Sequence, residues 1–365
     1  MKYIKELEGL RGLMALWVLV GHWSTTVALS HPLIHMKLHN YAVNVFIIIS
    51  GFAIAALLDK RPESYRMYII RRFFRIFPVY LLFLFLSVLA APWALEIWQH
   101  APEGIMKAVR IAIASNTITY WGAHLLTHIT ALHGIVPNRF LPSTDYAFLG
   151  QAWSISMEWQ FYLIAPVFIP LVLNVLQRQV WSTSQAVLMA LGTLTIVGIS
   201  TLMPSGFVGR NLHEFTLGML SFYLLKQSHL HPQARLKMAY ACLLGIMVIL
   251  FFKSVSTIPY LIWLSVMLSI LVKDMPHAGI FTWGSRLLNA APVQFLGRLS
   301  YSIYLSHMLV ILVGLKLVES IAFTTPMHQA LFLLAFVVPV TLVVSLMSYV
   351  VIEKPFHELG KRLKA

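Results

Sequence analysis

Apolar runs of about twenty residues recur along this chain from end to end, and this repetition limits the fold more than any other feature. Each run is long enough to cross the hydrocarbon core of a bilayer as a helix. The clearest lie at 12–30, 41–58, 74–91, 155–176, 185–203, 210–226, 238–252, 256–272, 299–318 and 328–352. Charged residues make up only 11% of the 365, roughly half the share of a soluble domain, so little sequence remains for a water-soluble appendage. The expectation is an all-α polytopic membrane protein of about ten transmembrane helices, forming one domain over residues 1–365.

A further stretch, 105–131, is apolar but interrupted by Asn116, His124 and His128, with His133 just beyond it. Charge decides how to place it. The segments 59–75, 226–237 and 353–365 are rich in Lys and Arg, which collect in cytoplasmic loops, whereas 91–104 has neither. A full crossing by 105–131 would put the later basic loops outside. With ten spans, every basic loop and both termini are cytoplasmic. Segment 105–150 is then a re-entrant or outer-face element, buried in protein that satisfies its backbone. Lys107 and Arg110 sit less comfortably on that face. The formal net charge of +14 follows largely from these loops, so it does not point to nucleic acid. The first run lacks a small-residue cleavage site and is read as a retained span. The single cysteine, Cys242, excludes an intrachain disulfide.

Against this apolar background the ionisable residues stand out, because they are costly in lipid. In "EGLRGLMALWVLVGH" (8–22), Arg11 lies at the cytoplasmic mouth, and His22 lies roughly 16 Å deeper along the helix. Arg71, Arg72 and Arg75 enter the third span from the same side, with Arg72 and Arg75 on one face. Positive-inside anchoring accounts for basic residues there. Three arginines without a lysine also suit bidentate binding of phosphate. Ser50-Gly51 in the second span fits either close helix packing or close approach of a ligand. Glu158 enters a span from the outer side among Trp153, Trp159 and Tyr162, which read most simply as an interfacial aromatic belt. Ser300, Tyr301, Tyr304 and His307 mark a polar face on a later span, suited to interhelical hydrogen bonds or to a ligand.

Six strings carry a more specific signal: "LEGLRGLMALWVLVGH", "NVFIIISGFAIA", "RRFFRIFPVY", "WSISMEWQFYLIAP", "LGRLSYSIYLSH" and "VIEKPF". Together, and in this order, they make the chain resemble the acyltransferase-3 family of integral membrane acyltransferases, which modify bacterial surface glycans. Arg11 and His22 fit the family's spacing at the first span, and Arg72 and Arg75 fit its R-x-x-R element. Relatives often carry two adjacent acidic residues before "QFY"; this chain has only Glu158, followed by Trp159.

The resemblance implies a protein of the bacterial inner membrane that takes an acyl group, most simply acetyl, from cytoplasmic acetyl-CoA. The acceptor would be a hydroxyl of a glycan or lipid-linked saccharide on the outer side. Arg11, Arg72, Arg75 and Ser50 are the expected donor-binding residues, His22 the general base and Glu158 its orienting partner. Trp153, Tyr301 and Tyr304 are expected to contact substrate, the tyrosines as donors to a developing oxyanion. No metal is expected; the recurrences His31/His35/His39 and His124/His128 lack the H-E-x-x-H pattern. Two alternatives remain open at this stage: a transporter without covalent chemistry, against which the absence of an internal repeat counts, and an acyltransferase acting on a cytoplasmic small molecule.

Overall fold

The computed structural model describes residues 4–29, 31, 34, 36–60, 63–177, 183–230, 232–252, 254–275 and 279–363. Among them the backbone is helical with no strand. The long helices are α1 (Lys5–Ser24), α2 (Asn40–Lys60) and α3 (Tyr65–His100), followed by two short ones, α4 (Lys107–Thr119) and α5 (Trp121–Ile129). Then come α6 (Trp153–Gln177), α7 (Thr183–Leu202), α8 (Leu212–Leu230), α9 (Pro232–Phe252) and α10 (Ile258–Val272). The chain ends in α11 (Gly279–Asn289), α12 (Ala291–Glu319), α13 (Pro326–Ser348) and α14 (Lys354–Arg362). Each of the ten apolar runs falls mainly within one helix. Seven helical stretches among the described residues are long and apolar enough to cross a membrane by length and composition. The chain is an all-α polytopic membrane protein.

Segment 105–131 is not one continuous helix. Its two helices, of 13 and 9 residues, break at Tyr120 and span only about 20 and 14 Å, short of a bilayer core. The irregular chain that follows is held by buried side chains, as unpaired backbone in an apolar setting must be. Asp145, 1% exposed, accepts from the backbone N–H groups of Ser205 (2.7 Å) and Gly206 (2.9 Å). Gln160 on α6 donates to the Gly206 carbonyl (2.8 Å) and accepts from the Val208 N–H (3.1 Å). Much of 177–184, one of the later loops, lies outside the described residues.

Two close helix pairs organise the bundle: α1 against α12 and α2 against α8. Glycine makes both possible. A Cβ on Gly12 would overlap the backbone at Leu296–Gly297, and one on Gly51 would overlap the Phe215 carbonyl. Small residues at such crossings let backbones approach and gain packing, since lipid supplies no hydrophobic drive between helices. Gly51 is therefore a packing residue, while its neighbour Ser50 faces the site described below. The α1–α12 contact brings the first polar string of the sequence against the fifth. The α13 helix runs through a five-residue π-helical turn (Tyr349–Glu353) into α14. That turn sets the buried Glu353 against α3.

Gly51→Leu is expected to force α2 and α8 apart and to destabilise the detergent-solubilised protein by about 1–3 kcal/mol, the ordinary cost of overpacking. A thermal unfolding midpoint equal to wild type would show that this contact is not tight.

Candidate active site

The polar residues of the spans do not share one chamber. They line two neighbouring cavities. The smaller, about 150 Å³, is bounded by Arg11, Arg72, Arg75, Ser50, Glu158, Tyr162, Ser300, Tyr301 and Tyr304 among others. The larger, about 460 Å³, is bounded by His22, His39, Lys37, Arg110, Trp98, Trp153, Tyr304 and an apolar wall that includes Ala90, Ala94, Leu309 and Leu312. Val43 and Tyr304 line both, so they stand at the division between them.

The arginine cavity is built from five helices, α1, α2, α3, α6 and α12. Helical spacing puts Arg72 and Arg75 of α3 on its wall, and turns Arg71 away to pair with Glu63 and the Leu363 carbonyl. Arg75 pairs with Glu353 at 2.7 Å, and Glu353 also accepts from Ser302 at 2.8 Å. Arg11 and Arg72 form no side-chain hydrogen bond or ion pair among the described residues, and the Arg72 Nε is buried without a partner. Arg72 does lie over the Tyr162 ring, 5.8 Å from its centre. Glu158 accepts from the Ser50 hydroxyl (2.7 Å) and the Tyr162 hydroxyl (2.5 Å). One cavity thus holds three guanidiniums and a single wall carboxylate, with Arg75 already neutralised by Glu353. Two arginines remain available for an anion.

His22 sits in the other cavity. Its ring is 4.8 Å from that of His39 and 5.1 Å from that of His307, centre to centre, and it makes no hydrogen bond among the described residues. The His307 Nδ1 donates to the Ile303 carbonyl at 3.2 Å, which leaves Nε2 as an acceptor, and that nitrogen is buried without a partner. The close seat of His39 depends on Gly21, where a Cβ would collide with the His39 ring. Arg110 reaches the end of α1, donating to the Thr25 hydroxyl (3.0 Å), the His22 carbonyl (3.2 Å) and the Thr26 hydroxyl.

Several sequence expectations change on these contacts. Glu158 does not orient His22; it belongs to the arginine cavity, and histidines surround His22 instead. Tyr301 donates to the Ile76 carbonyl (2.8 Å) and Tyr304 to the Gln151 carbonyl (2.9 Å), so neither hydroxyl proton is free for an oxyanion. Trp153 lines the histidine cavity, apart from Tyr301. Arg11, Arg72, Arg75 and Ser50 come together as expected. Sequence reading missed Glu353, Arg110 and the position of His39. Glu353 lay in the recognised string "VIEKPF", and His307 fell on the polar face with Tyr304; nothing local marked His39, one of several loop histidines. Of the possible metal-binding histidines, His35 lies outside the described residues. The His124 and His128 rings of the other recurrence meet edge to face, with centres 6.2 Å apart.

A protein-family model described as an acyltransferase domain matches residues 4–347, nearly the whole chain. The chain belongs to the acyltransferase-3 family. Among curated proteins, this acyltransferase-family chain is 26% identical to one named as a membrane-bound transacylase of Komagataeibacter xylinus, over 96% of this chain and 82% of that protein. It is 24% identical to one named as a peptidoglycan O-acetyltransferase of Bacillus subtilis, over 99% of this chain. It is 23% identical to the peptidoglycan O-acetyltransferase OatA of Listeria monocytogenes, over 98%. The chain spans just over half the length of the last two, 56% of each. No solved structure matches it at a significant level.

Glu353→Ala is expected to leave the Arg75 guanidinium without its partner inside the bundle and to cost about 3 kcal/mol of stability. Thermal unfolding in detergent should show a clearly lowered midpoint, with Glu358→Ala on the nearby tail unchanged.

Proposed function

We propose that this acyltransferase moves an acyl group, acetyl in the simplest case, from acyl-CoA in the arginine cavity to a hydroxyl of a glycan in the histidine cavity. The observation that carries the reading is the adjacency of the two cavities across Val43 and Tyr304, with unpaired arginines on one side and His22 on the other. Coenzyme A has phosphates at one end and a thioester on a long arm. Arg11 and Arg72 suit the phosphates, since arginine's fork matches phosphate oxygens. Ser50, Tyr162 and Arg75 define the polar wall along which the arm lies. The basic end of the bundle faces the cytoplasm, where the donor is made, and both termini are on that side. The membrane is the bacterial inner membrane.

The chemistry follows from His22. Its imidazole has an unperturbed pKa near neutrality, and the neutral ring is the form a base requires. Neutral His22 takes the proton of the acceptor hydroxyl as the oxygen attacks the thioester carbonyl carbon. The carbon–sulfur bond then breaks, and the proton returns from His22 to the departing sulfur. His307, with a free Nε2 beside His22, takes the orienting role that the sequence suggested for Glu158. Glu158 instead holds Ser50 and Tyr162 in place and offsets the arginine charge.

His22→Ala should lower transfer of label from radiolabelled acetyl-CoA to a peptidoglycan or polysaccharide acceptor by about 10²-fold or more, with the protein still folded in the membrane. Full activity in that variant would remove the catalytic reading. Arg72→Ala should raise KM for acetyl-CoA by about tenfold, the loss of one charge-assisted contact, while kcat changes little. A fall in kcat with KM unchanged would count against phosphate binding there.

A further inference from the structure

Arg110 is the least expected charge in the molecule. It is 7% exposed and has no carboxylate partner among the described residues. Its hydrogen bonds go to two hydroxyls and one carbonyl, all neutral, and its guanidinium lies 4.7 Å from the centre of the Trp98 ring. The α1 C-terminus where it binds offers a partial negative charge, equivalent to about half a unit at most. A buried cation needs more than that, because the loss of its hydration is only partly offset by dipoles and an aromatic face. The wall around it makes the imbalance larger. The histidine cavity is lined by a second cation, Lys37, and by His22 and His39, and among the described residues no Asp or Glu lines it. The arginine cavity, by contrast, contains Glu158 and a guanidinium already paired with Glu353. The remaining wall of the histidine cavity is largely apolar, and the cavity, about 460 Å³, has room enough for a sugar ring.

We propose that Arg110, with Lys37, forms an anion-binding subsite in the histidine cavity, which selects an acceptor saccharide carrying a carboxylate or a phosphate. This rests on the reading of that cavity as the acceptor side. The anion of the acceptor supplies the counter-charge that the protein leaves out. It docks against the end of α1, and Arg110 reaches that end through the carbonyl of His22 itself. Binding the anion therefore registers the sugar relative to the base, so one hydroxyl is presented to it in preference to others. Arg110 is a specificity and positioning residue; it takes no proton and forms no covalent bond.

The test uses the purified full chain in nanodiscs, first without acyl donor, with ligand-observed NMR titration of three probes. These are N-acetylmuramic acid (a carboxylate), glucose 1-phosphate (a phosphate) and N-acetylglucosamine (neutral). At least one acidic probe should bind tenfold or more tightly than the neutral sugar, and which one does so distinguishes carboxylate from phosphate. Arg110→Gln should erase that preference while binding of the neutral sugar stays within about twofold. Lys37→Gln, which breaks no hydrogen bond to α1, should reduce the preference several-fold and provides the same test if Arg110→Gln does not fold. Equal binding of acidic and neutral sugars by wild type overturns the proposal, as does a variant that weakens all three probes alike, since a merely structural arginine would do that. The transfer assay separates this outcome from failure of the broader reading. Acyl transfer to a neutral glycan with no acid preference sinks the subsite alone. Acid-selective binding with no transfer from acetyl-CoA to any acceptor sinks the acyltransferase reading of the cavity and leaves the subsite standing.

Discussion

A charge among apolar helices must be compensated where it lies, and the placement of compensating groups shapes this protein more than any single packing contact. In water, a guanidinium without a carboxylate is unremarked; inside a helix bundle it loses hydration worth several kcal/mol. Arg75 meets the requirement with Glu353, brought to it by the π-helical turn between α13 and α14. Arg71 meets it with Glu63 at the bundle's basic end. Among the described residues Arg11, Arg72 and Arg110 have no such partner, and all three line cavities. The contrast separates cations that hold the structure together from cations available to a ligand.

The division into two chambers gives the proposed reaction its direction. Donor and acceptor differ in charge and shape, and each would find one half of the polar interior suited to it. The halves meet at Val43 and Tyr304, whose hydroxyl is held by Gln151 and Ser154. In the proposed reaction a thioester carried on a flexible arm would pass this point, while the phosphates would stay with the arginines. The relatives named as peptidoglycan O-acetyltransferases accord with a glycan acceptor. The proposed anion subsite in the larger cavity would narrow that acceptor to one that brings its own negative charge.

Much of this architecture was legible from local sequence. Run length and hydropathy identified the ten main helices, because an apolar stretch of a given length has few alternatives in lipid. The distribution of basic loops set 105–131 apart from the other apolar runs, and it folds as two short helices with a break at Tyr120. Arg11, Arg72, Arg75 and Ser50, grouped through the resemblance, line one cavity, and helical spacing had already put Arg72 and Arg75 on one face. Glu158 was paired with the wrong partner for an instructive reason. The resemblance made it the orienting partner of His22, whereas the fold sets it beside the arginines with Ser50 and Tyr162, and which helices face one another is not encoded in local spacing.

By itself, then, the sequence determined the helical membrane class, the family and the residue types available for chemistry, because these depend on hydropathy, length and local spacing. Only the tertiary structure decided which of those residues meet. Glycine-mediated crossings of α1 with α12 and α2 with α8 set the helix rotations, and these split the polar interior into an arginine chamber and a histidine chamber. The α1–α12 crossing also brought His307 to His22, the close seat at Gly21 brought His39, and the π-helical turn brought Glu353 to Arg75, across separations in the chain that no local pattern encodes.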